Sequence, residues 1–459
     1  MTEPGCRSDH VPDHVAALPL AGKSVGIASE RSTVMSLRPG FIMLFCIALC
    51  WRAAAQQLWG LTDLGALAPN AGFTVPTDMN NLGQVVGASH VFDNGDATLG
   101  FVWTRGAMRA LVEPPGARYV QARAINDSGH IAGDATYDTL IGRPYRWHGD
   151  QYDEIGLLRE GESALAWGIN QHGHVTGGAQ IEPGGFATSH AFWWDDALHE
   201  LLPVTGLDDD DCYGRDINDA GVVVGDSTVL FGTQTRRCAA MWNNGAPVSL
   251  GMLPGDAASW AVRVNNIGTA VGISHYSDRD FAVMWRQGQI ILLTPTSSGI
   301  PGTFRSSQVY DVNDYDEAVG SGTVYPWAAR SFIWRAGVLT YTTSLVPPGF
   351  PWSLGPHAIN NAGQLACRGV YIANPSGVPQ RAFVLTPPEC RGFPRGDANC
   401  DGIVNNFDID AFVLALTSAD QYGDAHPACN WLCNLDINRD GYVNNFDIDP
   451  FVELLISEP

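Results

Sequence analysis

The middle of the chain repeats one short motif seven times at a nearly constant spacing. Each copy holds an asparagine and, in six copies, a glycine three positions later, as in "INDAGVVVG" from Ile217. The asparagines lie 46, 44, 48, 47, 48 and 47 positions apart, and we number the repeats 1 to 7 by Asn80, Asn126, Asn170, Asn218, Asn265, Asn313 and Asn360. A fixed period of this size is typical of a propeller or a solenoid.

Each repeat has the pattern of four short strands. The Asn-x-x-Gly step predicts a turn in which glycine takes a positive φ, and its one replacement, Asp316, is a residue that tolerates this conformation. An alternating strand follows, and then an aromatic-x-Trp pair whose spacing of two places both rings on one sheet face. Four repeats carry this pair, as Phe101/Trp103, Tyr145/Trp147, Phe192/Trp194 and Phe332/Trp334. Four strands in about 47 residues match one propeller blade.

The two ends of the repeat region distinguish a ring from an open solenoid. Repeat 7 stops at residues 381–388, before its third and fourth strands, whereas residues 61–80 precede repeat 1 and match residues 247–266. In a closed ring, residues 58–74 would supply the outer strands of the blade that begins at Asn360, whereas a solenoid would need polar caps. The sequence therefore predicts a mainly β fold, a seven-bladed β-propeller with four strands per blade.

The repeats resemble a known family of extracellular repeats. "SHAF" at Ser189–Phe192 and the pattern "INDAGVVVG…AAMW…SLGMLPG" are similar to the HAF family, over roughly residues 60–386. This resemblance implies a secreted protein. It implies no particular activity and no site residues.

The chain ends with a second, shorter repeat that is rich in acidic residues. "GDANCDGIVNNFDID" at 396–410 returns as "LDINRDGYVNNFDID" at 435–449. Side-chain oxygens at positions 1, 3, 5, 9 and 12, a carbonyl at position 7 and glycine at position 6 are the spacing of a twelve-residue calcium loop. The predicted ligands of two calcium ions are Asp397, Asn399, Asp401, Ile403, Asn405 and Asp408, and Asp436, Asn438, Asp440, Tyr442, Asn444 and Asp447. The alternative is a pair of solvated Asp/Asn turns.

An apolar helical stripe follows each loop. Its members recur at i, i+3, i+4 and i+7, and they are Ile409, Phe412, Val413 and Leu416, then Ile448, Phe451, Val452 and Leu455. A loop-then-helix unit written twice over residues 394–456 resembles a type I dockerin. This resemblance implies calcium-dependent docking onto a cohesin-like protein, in a family that usually delivers secreted glycan-degrading enzymes. Loop positions 10 and 11, often small hydroxyl residues in that family, are here Asn406–Phe407 and Asn445–Phe446.

The segment "MSLRPGFIMLFCIALCWRAAAQQ" has the features of a secretory signal. Arg38 supplies positive charge, residues 41–51 form an apolar run too short to span a bilayer, and residues 53–55 offer a small-residue cleavage site. A buried core helix is the alternative. The mature chain is predicted to be secreted or held at the cell surface, without a membrane span.

These features divide the chain into four parts. They are an upstream leader or mis-assigned start at 1–34, the signal at 35–55, the propeller at 56–388 and a C-terminal module at 389–459. The last two parts are expected to share no core.

Cysteine usage agrees with export. Seven cysteines remain after removal of the signal, and disulfides are expected among the four near the C-terminal module, Cys390, Cys400, Cys429 and Cys433. Zinc binding is the alternative for this cluster, although it lacks two close pairs. Cys212 and Cys238 flank one repeat and are candidates to pair, which leaves Cys367 free.

The charge balance excludes some classes of function. The formal net charge of −22 at pH 7 argues against binding to nucleic acid or to anionic membranes. The single lysine, Lys23, precedes the predicted cleavage site, so the mature chain has no lysine for Schiff-base or P-loop chemistry. The sequence also contains no HExxH, GxSxG or GxxxxGK string.

The repeated Asn, Gly and Trp residues are expected to be structural, because they recur at the same turn and core positions. Function is therefore sought outside the pattern, in His172 and His174, His190, the run Asp208–Asp211 and the segment "IEPGGFATSH" at 181–190. For the acidic run the alternatives are a solvated loop and a metal site, and for the two turn histidines simple exposure. No catalytic residue is assigned, because spacing alone does not place two carboxylates across a cleft.

Three functions are compatible with these patterns. The first is a secreted propeller that binds a glycan or protein ligand and is tethered through the C-terminal module. The second is a polysaccharide-degrading enzyme, a glycoside hydrolase or lyase, with a docking tail. The third is a structural protein of the cell surface. Calcium is the expected cofactor, and a cohesin-like protein and a polysaccharide are the expected partners.

Overall fold

The computed structural model describes residues 58–69, 71–92, 97–137, 141–159, 161–184, 188–296, 302–373, 380–388, 393–438 and 442–457. The predicted leader and signal lie outside these residues, as do Cys390, Asp440 and Gly441. All described residues belong to one compact unit. No helix among them is both long and apolar enough to cross a membrane.

Most of the described residues lie in short β-strands. Their bounds in the first half of the chain are β1 (Gly60–Asp63), β2 (Thr74–Met79), β3 (Val85–Val91), β4 (Ala97–Thr104), β5 (Ala107–Ala110), β6 (Tyr119–Ile125), β7 (Ile131–Thr136), β8 (Gly142–His148), β9 (Gln151–Glu154), β10 (Ala164–Ile169), β11 (Val175–Gln180), β12 (Ser189–Trp194), β13 (Leu198–Leu201) and β14 (Cys212–Ile217). In the second half they are β15 (Val223–Phe231), β16 (Gln234–Asn243), β17 (Ala246–Gly251), β18 (Ala258–Val264), β19 (Ala270–Tyr276), β20 (Arg279–Arg286), β21 (Gln289–Leu292), β22 (Phe304–Val312), β23 (Ala318–Val324), β24 (Ala328–Arg335), β25 (Val338–Tyr341), β26 (Trp352–Ile359), β27 (Leu365–Tyr371) and β28 (Gln380–Thr386).

The strands pair as four-stranded antiparallel meanders. Repeats 1 to 6 use β2–β5, β6–β9, β10–β13, β14–β17, β18–β21 and β22–β25, and one parallel bridge between Thr98 and Tyr119 joins the first two sheets. The mainly β, propeller-type architecture predicted from the repeats is therefore confirmed.

Repeat 7 takes its last strand from the other end of the chain. Its sheet has the order β1-β28-β27-β26, and Gly60 lies opposite Thr386. The expectation that the N-terminal segment supplies both missing strands is wrong in one respect. Because β28 is itself the third strand, β1 supplies the fourth strand alone.

The asparagine of each repeat is buried and bonds in two directions. Its Oδ1 accepts from the turn that follows, as Asn218 does from the N–H groups of Ala220 and Val222. Its Nδ2 donates to the backbone carbonyl of the next repeat's asparagine, at distances of 2.9 to 3.1 Å, and Asn360 donates to Asn80 at 3.1 Å. Asparagine suits this place because its amide is both donor and acceptor. The expectation of a structural role for the repeated asparagine is confirmed.

A second ring of hydrogen bonds runs one residue further along. The backbone N–H after each asparagine donates to a side-chain oxygen in the next repeat, as Asn81 does to Asp127 at 2.8 Å. The last of these bonds runs from Asn361 back to Asn81 at 2.9 Å. The other acceptors are Gln171, Asp219, Asn266, Asp314 and Asn361. All seven positions hold Asn, Asp or Gln, which carry the acceptor oxygen that the ring needs.

A bulge in the first strand explains the second glycine of the motif. In repeat 4 the pairing of β14 with β15 skips one residue between Gly214 and Asp216, and the other six repeats shift at the same place. The opposite strand then passes so close that a Cβ on Gly225 would lie 1.8 Å from the Tyr213 carbonyl oxygen. Any larger residue at Gly225 would displace backbone, so glycine is required in repeat 4, whereas repeat 7 holds Cys367 at the equivalent position. A bulge also redirects the skipped side chain.

The aromatic-x-Trp pairs form the cores between the sheets. All eight of the predicted residues are buried, which confirms that the spacing of two places both rings on a covered face. The indole Nε1 of Trp147 donates to the Val112 carbonyl at 2.8 Å, and Trp242 donates likewise to Leu202 at 2.8 Å. These tryptophans therefore also fix the loop that leads into or out of a neighbouring strand.

The C-terminal module is helical. Its helices are α1 (Ile409–Thr417), α2 (Ala419–Ala425), α3 (Trp431–Leu435) and α4 (Ile448–Ser457), with short 3-10 turns at Asn406–Asp408 and Asn445–Asp447. The Phe412 and Phe451 rings stack with centroids 4.1 Å apart. The predicted apolar stripes are only partly buried, because α1 packs through Ala411, Phe412 and Ala415. Of its other stripe residues, Ile409 and Val413 are exposed, whereas Leu416 is partly buried against the core.

The C-terminal module shares a hydrophobic core with repeat 1. One cluster of buried side chains joins Met79, Val85 and Trp103 to Tyr422 and Trp431. The expectation of separate cores is therefore wrong. The helices are short and offer little apolar surface to one another, so they bury their large aromatic residues against the first repeat.

Polar contacts place the C-terminal module over repeats 1 and 7. Asn430 caps α3, since its Oδ1 accepts from the Cys433 N–H at 2.9 Å. Its Nδ2 donates to the carbonyl of Asn81 at 3.0 Å and to Oε1 of Gln364 at 2.7 Å. One side chain therefore links the module to the first and the last repeat.

Replacing Asn218 by Asp tests the asparagine ring. The change removes the donor to the Asn265 carbonyl and sets two oxygens against each other at a buried site, so the free energy of unfolding should fall by about 2–4 kcal/mol. Urea denaturation at pH 7 measures this. The control Asn243→Asp, at an exposed position, should change the value by less than about 0.5 kcal/mol. Equal small effects of the two substitutions would contradict a stabilising ring.

Candidate functional site

The first predicted calcium loop is wound around its own side chains. Asp397 is buried, and its two oxygens accept from the N–H groups of Asp401 at 3.2 Å and Gly402 at 2.8 Å. Oδ1 of Asn399 also accepts from Asp401, at 2.9 Å, and Oδ1 of Asp401 accepts from Ile403 at 3.0 Å. The loop is thus coiled with its polar side chains at positions 1, 3 and 5 turned back onto the backbone.

Position 12 closes each loop. Asp408 and Asp447 are buried, and each accepts from backbone N–H groups at positions 3 and 9 of its own loop. The donors are Asn399 and Asn405 in the first loop and Asn438 and Asn444 in the second. Asn405 and Asn444 complete a reciprocal capping box with these aspartates. Aspartate is therefore long enough to close both loops, although glutamate is usual at this position.

The donor set of these loops suits calcium. It consists of carboxylate, amide and carbonyl oxygens, which a hard divalent cation prefers. Burial raises the pKa of Asp397, and the nearby carboxylates of Asp408 and Asp401 raise it further. In the described part of the chain, no three His, Cys, Asp or Glu side chains lie close enough to hold a metal as they stand. Asp440 lies outside the described residues, while Asp436 and Tyr442 lie within them.

The cysteines are only partly as expected. Cys400 and Cys429 form a disulfide that ties the first loop to the segment before α3; Cys433 is also disulfide-bonded. The pairing of Cys212 with Cys238 is wrong, since both are free and buried. Each lies opposite Ser227, one on either side of β15, so they are two strand spacings apart, beyond the reach of a disulfide. Cys367 is free, as predicted.

The outer surface of the two loops is apolar. Phe407 and Phe446, at equivalent positions, are 81% and 70% exposed. Val413 and Val452, one turn into the helices that follow, are also exposed. The two copies therefore present similar apolar surfaces away from the residues that contact repeat 1.

The structure separates the non-repeated candidates of repeat 3. His172 and His174 lie before β11, beside a cavity of about 460 Å³ that Trp193 and Trp242 also line. Burial lowers the pKa of His174. His190 lies at the other end of the same sheet, because it pairs with Ala179 near the end of β11. These histidines therefore do not form one site.

The acidic run is used for local contacts. Asp208 pairs with Arg159 at 3.2 Å, and Arg159 also contacts Glu200 at 2.7 Å. Glu200 in turn lies 2.5 Å from Nδ1 of the buried His190. Asp211 accepts from the N–H of Ser189 at 2.9 Å and so holds the described end of the 181–190 segment. Asp208 and Asp211 therefore stabilise the loops beside them through local contacts.

A polar cavity lies beside the asparagine rings. It has a volume of about 140 Å³ and is lined by residues from several repeats, among them Asp78, Asp216, Arg263 and Asp311. Each aspartate accepts a backbone N–H from the following repeat, at 2.8, 2.9 and 2.7 Å respectively. The Nε atom of Arg263 lies 3.7 Å from Oδ1 of Asp311. Three carboxylates and one guanidinium therefore face a common space.

We call Asp78, Asp216, Arg263 and Asp311 the axial cluster, and burial dominates the ionisation of its members. It raises the pKa of Asp216 to about 6, although Arg263 opposes the change. It also raises the pKa values of Asp311 and Asp78, again against the opposing field of Arg263. Burial alone would lower the pKa of Arg263, but the surrounding carboxylates outweigh it and the pKa is raised. The cluster thus holds protons that free carboxyl groups would have lost at pH 5.

Replacing Asp216 by Asn tests this ionisation. Native Asp216 keeps its proton up to about pH 6, whereas the unfolded chain loses it near pH 4. Wild-type stability should therefore decline as pH rises from about 4 to 6, and the variant should escape about 1–3 kcal/mol of that decline. Urea denaturation at several pH values gives the difference. Asp150→Asn, at an exposed site, is the control, and a pH-independent difference for Asp216→Asn would contradict the assignment.

The axial residues were not predicted from the sequence. The residue two positions before the asparagine is Asp, Ala, Gly, Asp, Arg, Asp and Ala from repeat 1 to repeat 7, whereas the position after it is always Met, Ile or Val. The signal that marks these residues is variation two positions before an asparagine that is the same in all seven repeats. Only the alignment of all seven repeats, register by register, makes this signal visible.

Comparisons with known proteins identify no family. No family model matches the chain, and no curated protein matches it. The β-propeller domain of the Trilobed protease from Pyrococcus furiosus is 10% identical with a TM-score of 0.46, over 70% of this chain and 95% of that domain. A prolyl endopeptidase is 9% identical with a TM-score of 0.44, over 72% of this chain and 51% of the enzyme. The Aleuria aurantia lectin, solved with alpha-methyl-L-fucoside, is 9% identical with a TM-score of 0.31, over 61% and 98%. At these values the likenesses carry no argument about function.

Proposed function

We propose that this chain is a secreted propeller protein that binds a glycan or protein ligand and is tethered through its C-terminal calcium loops. The observation that carries the proposal is the construction of the two loops. Each has a calcium-type donor set closed by a buried aspartate, and each presents an exposed phenylalanine at an equivalent place. The repeats supply a large rigid surface, and the loops supply the attachment.

Export is part of the proposal. It rests on the signal-like segment at 35–55 and on the disulfide between Cys400 and Cys429. Disulfides persist mainly in oxidising compartments, which favours a secreted or surface location.

We further propose that the repeats close as seven blades. Two hydrogen-bonded rings support closure, because in each ring the last bond runs from repeat 7 to repeat 1. The pairing of β1 with β28 supports it as well. A ring leaves no sheet edge open between the first and the last repeat.

The exposed faces of the two loops would bind the docking partner. Phe407 and Phe446 are large aromatic residues whose side chains are exposed to solvent. Exposed aromatic residues of this kind mark interaction surfaces. Asp410 and Asp449 flank them and leave the surface acidic. A cohesin-like partner would therefore offer apolar pockets with basic or neutral rims.

Calcium titration of the mature chain tests the module. The mature chain is the sample because the module shares its core with repeat 1. Calorimetry should show two ions bound to the wild type and one to Asp401→Ala, with the control Asp410→Ala unchanged. A hundredfold excess of calcium over its dissociation constant should stabilise the fold by about 2.7 kcal/mol per site. No calcium-dependent heat, or the same uptake by Asp401→Ala, would refute the calcium assignment.

Removing the N-terminal strand tests closure. Deletion of residues 56–63 from the mature chain removes β1, the edge partner of β28, and the buried Trp59. The midpoint of thermal unfolding should fall by several degrees, because a loss of a few kcal/mol shifts it by roughly that amount in a chain of this size. Melting at the wild-type temperature with unchanged cooperativity would contradict the closed ring.

A further inference from the structure

The bulged residue of the first strand pairs with a fixed position on the second strand. In repeats 2 and 4 the pair is an ion pair, Arg123 with Asp134 and Arg215 with Asp226. In repeat 6 the hydroxyl of Tyr310 lies 2.7 Å from that of Ser321. In repeat 3 the bulged residue is Trp167 and the residue opposite is Gly178, where no side chain stands in the way.

The missing side chain at Gly178 lets two aromatic rings gather between repeats 3 and 4. A Cβ built there would lie 2.8 Å from Tyr213 and 2.9 Å from Trp167. The two rings are 6.1 Å apart between centroids and are tilted by 52°. Both side chains are only partly buried. Gly178 therefore forms the floor beneath an aromatic surface.

Two guanidinium groups stand over these rings. The Cζ atom of Arg215 lies 5.6 Å from the Trp167 ring centroid, and that of Arg237 lies 5.0 Å from the Tyr213 ring centroid. Both arginines are anchored through Nε to the buried carboxylate of Asp226. Their side chains remain 32% and 49% exposed. We call these five residues, Trp167, Tyr213, Arg215, Arg237 and Asp226, the arginine–aromatic platform.

The platform holds unused donors and a local positive charge. Within the described residues, the terminal Nη groups of Arg215 and Arg237 donate no hydrogen bond to protein. Two guanidinium groups share one carboxylate, so the group carries a net charge of +1 in a chain whose net charge is −22. Guanidinium forks bind carboxylate and sulfate groups in a bidentate manner. The rings offer flat apolar faces to a ligand that has such faces of its own.

We propose that the arginine–aromatic platform binds an acidic glycan, a pyranose chain whose carboxylate or sulfate groups pair with Arg215 and Arg237 while a sugar ring packs on Trp167 or Tyr213. This deepens the proposed function, on which it rests, by naming the ligand class and its place. A peptide rich in carboxylates would satisfy the guanidinium groups but would leave the aromatic faces uncovered. The overall acidity of the chain disfavours longer polyanions such as nucleic acid.

Calorimetric titration of the mature chain tests the platform with four probes. They are an oligogalacturonide for carboxylate, a carrageenan oligosaccharide for sulfate, cellohexaose as the neutral glycan and polyglutamate as the acidic peptide. We expect one or both acidic oligosaccharides to bind at least tenfold more tightly than cellohexaose and polyglutamate. Arg215→Gln and Arg237→Gln should each weaken that binding by about tenfold or more, because each removes charge-assisted hydrogen bonds.

Three further variants sharpen the test. Arg237→Lys keeps the charge beside Asp226 and so protects folding, but it loses the fork and should still weaken binding. Trp167→Ala should weaken binding and Trp167→Phe should retain most of it. The matched control is Arg305→Gln, which removes the guanidinium 4.1 Å from the centroid of the exposed Trp327 ring in repeat 6. It should leave the affinity within about threefold of wild type, because Arg305 pairs with Asp278 and not with Asp226 of the platform.

The outcomes separate this inference from the proposed function. Wild-type affinity in all the platform variants, or loss of binding in Arg305→Gln alone, would overturn the platform as the site. Equal binding of polyglutamate would overturn the glycan as its ligand. Binding of cellohexaose or of an extracellular protein without any acidic oligosaccharide would overturn this inference and leave the proposed function standing. Binding of no probe and of no extracellular protein would remove both.

Discussion

The side-chain amide of one asparagine per repeat sets the position of each sheet in this structure. The asparagine donates to the next repeat and accepts from its own turn, so it fixes the start of each sheet relative to its neighbour. Because these bonds are backbone-directed, the spacing between asparagines can vary from 44 to 48 residues without moving the ring. The difference is taken up in loops further along each repeat. Because the hydrogen-bonded asparagines are fixed and the loops vary in length, the surface residues of the loops can change without altering the fold.

The bulge in the first strand of each repeat supplies the variable positions. Glycine lies opposite it in six repeats, as at Gly225, and Cys367 in repeat 7, whereas the bulged residue and its neighbour differ more widely between repeats. Where the bulged residue and the residue opposite form an ion pair or a hydroxyl pair, their hydrogen-bonding groups are paired with each other. In repeats 3 and 4 this pairing is incomplete, because Asp226 binds two arginines and Gly178 has no side chain. The pattern of the repeat and its local exceptions thus have a common physical origin.

The period, the turns and the buried rings could be predicted from the sequence, because each depends on residues that are close together in one repeat. Trp103 and Trp147 are examples, since a spacing of two alone assigns them to a covered face. The axial cluster could not be predicted in this way. Asp216 bonds to the backbone of residue 264 in the next repeat, and Asn430 bonds to Asn81 across most of the chain. Contacts of that separation depend on how distant parts of the chain pack together, which no local pattern contains. The mistaken pairing of Cys212 with Cys238 has a different cause, because both residues lie within one sheet, on the two strands that flank β15.

The position of Asn430 has a mechanical consequence. It joins the C-terminal module to repeats 1 and 7 together, and β1 fastens to β28 within that same repeat 7. A force applied to a docked C-terminal module would therefore act on both repeat 1 and repeat 7 rather than on one sheet. The load would be shared by the amide of Asn430, the buried face of Trp431 and the ladder between β1 and β28. A tether attached at this place would pull on repeats 1 and 7 together, and the strength of the anchorage would be set by how firmly the contacts between these repeats resist shear.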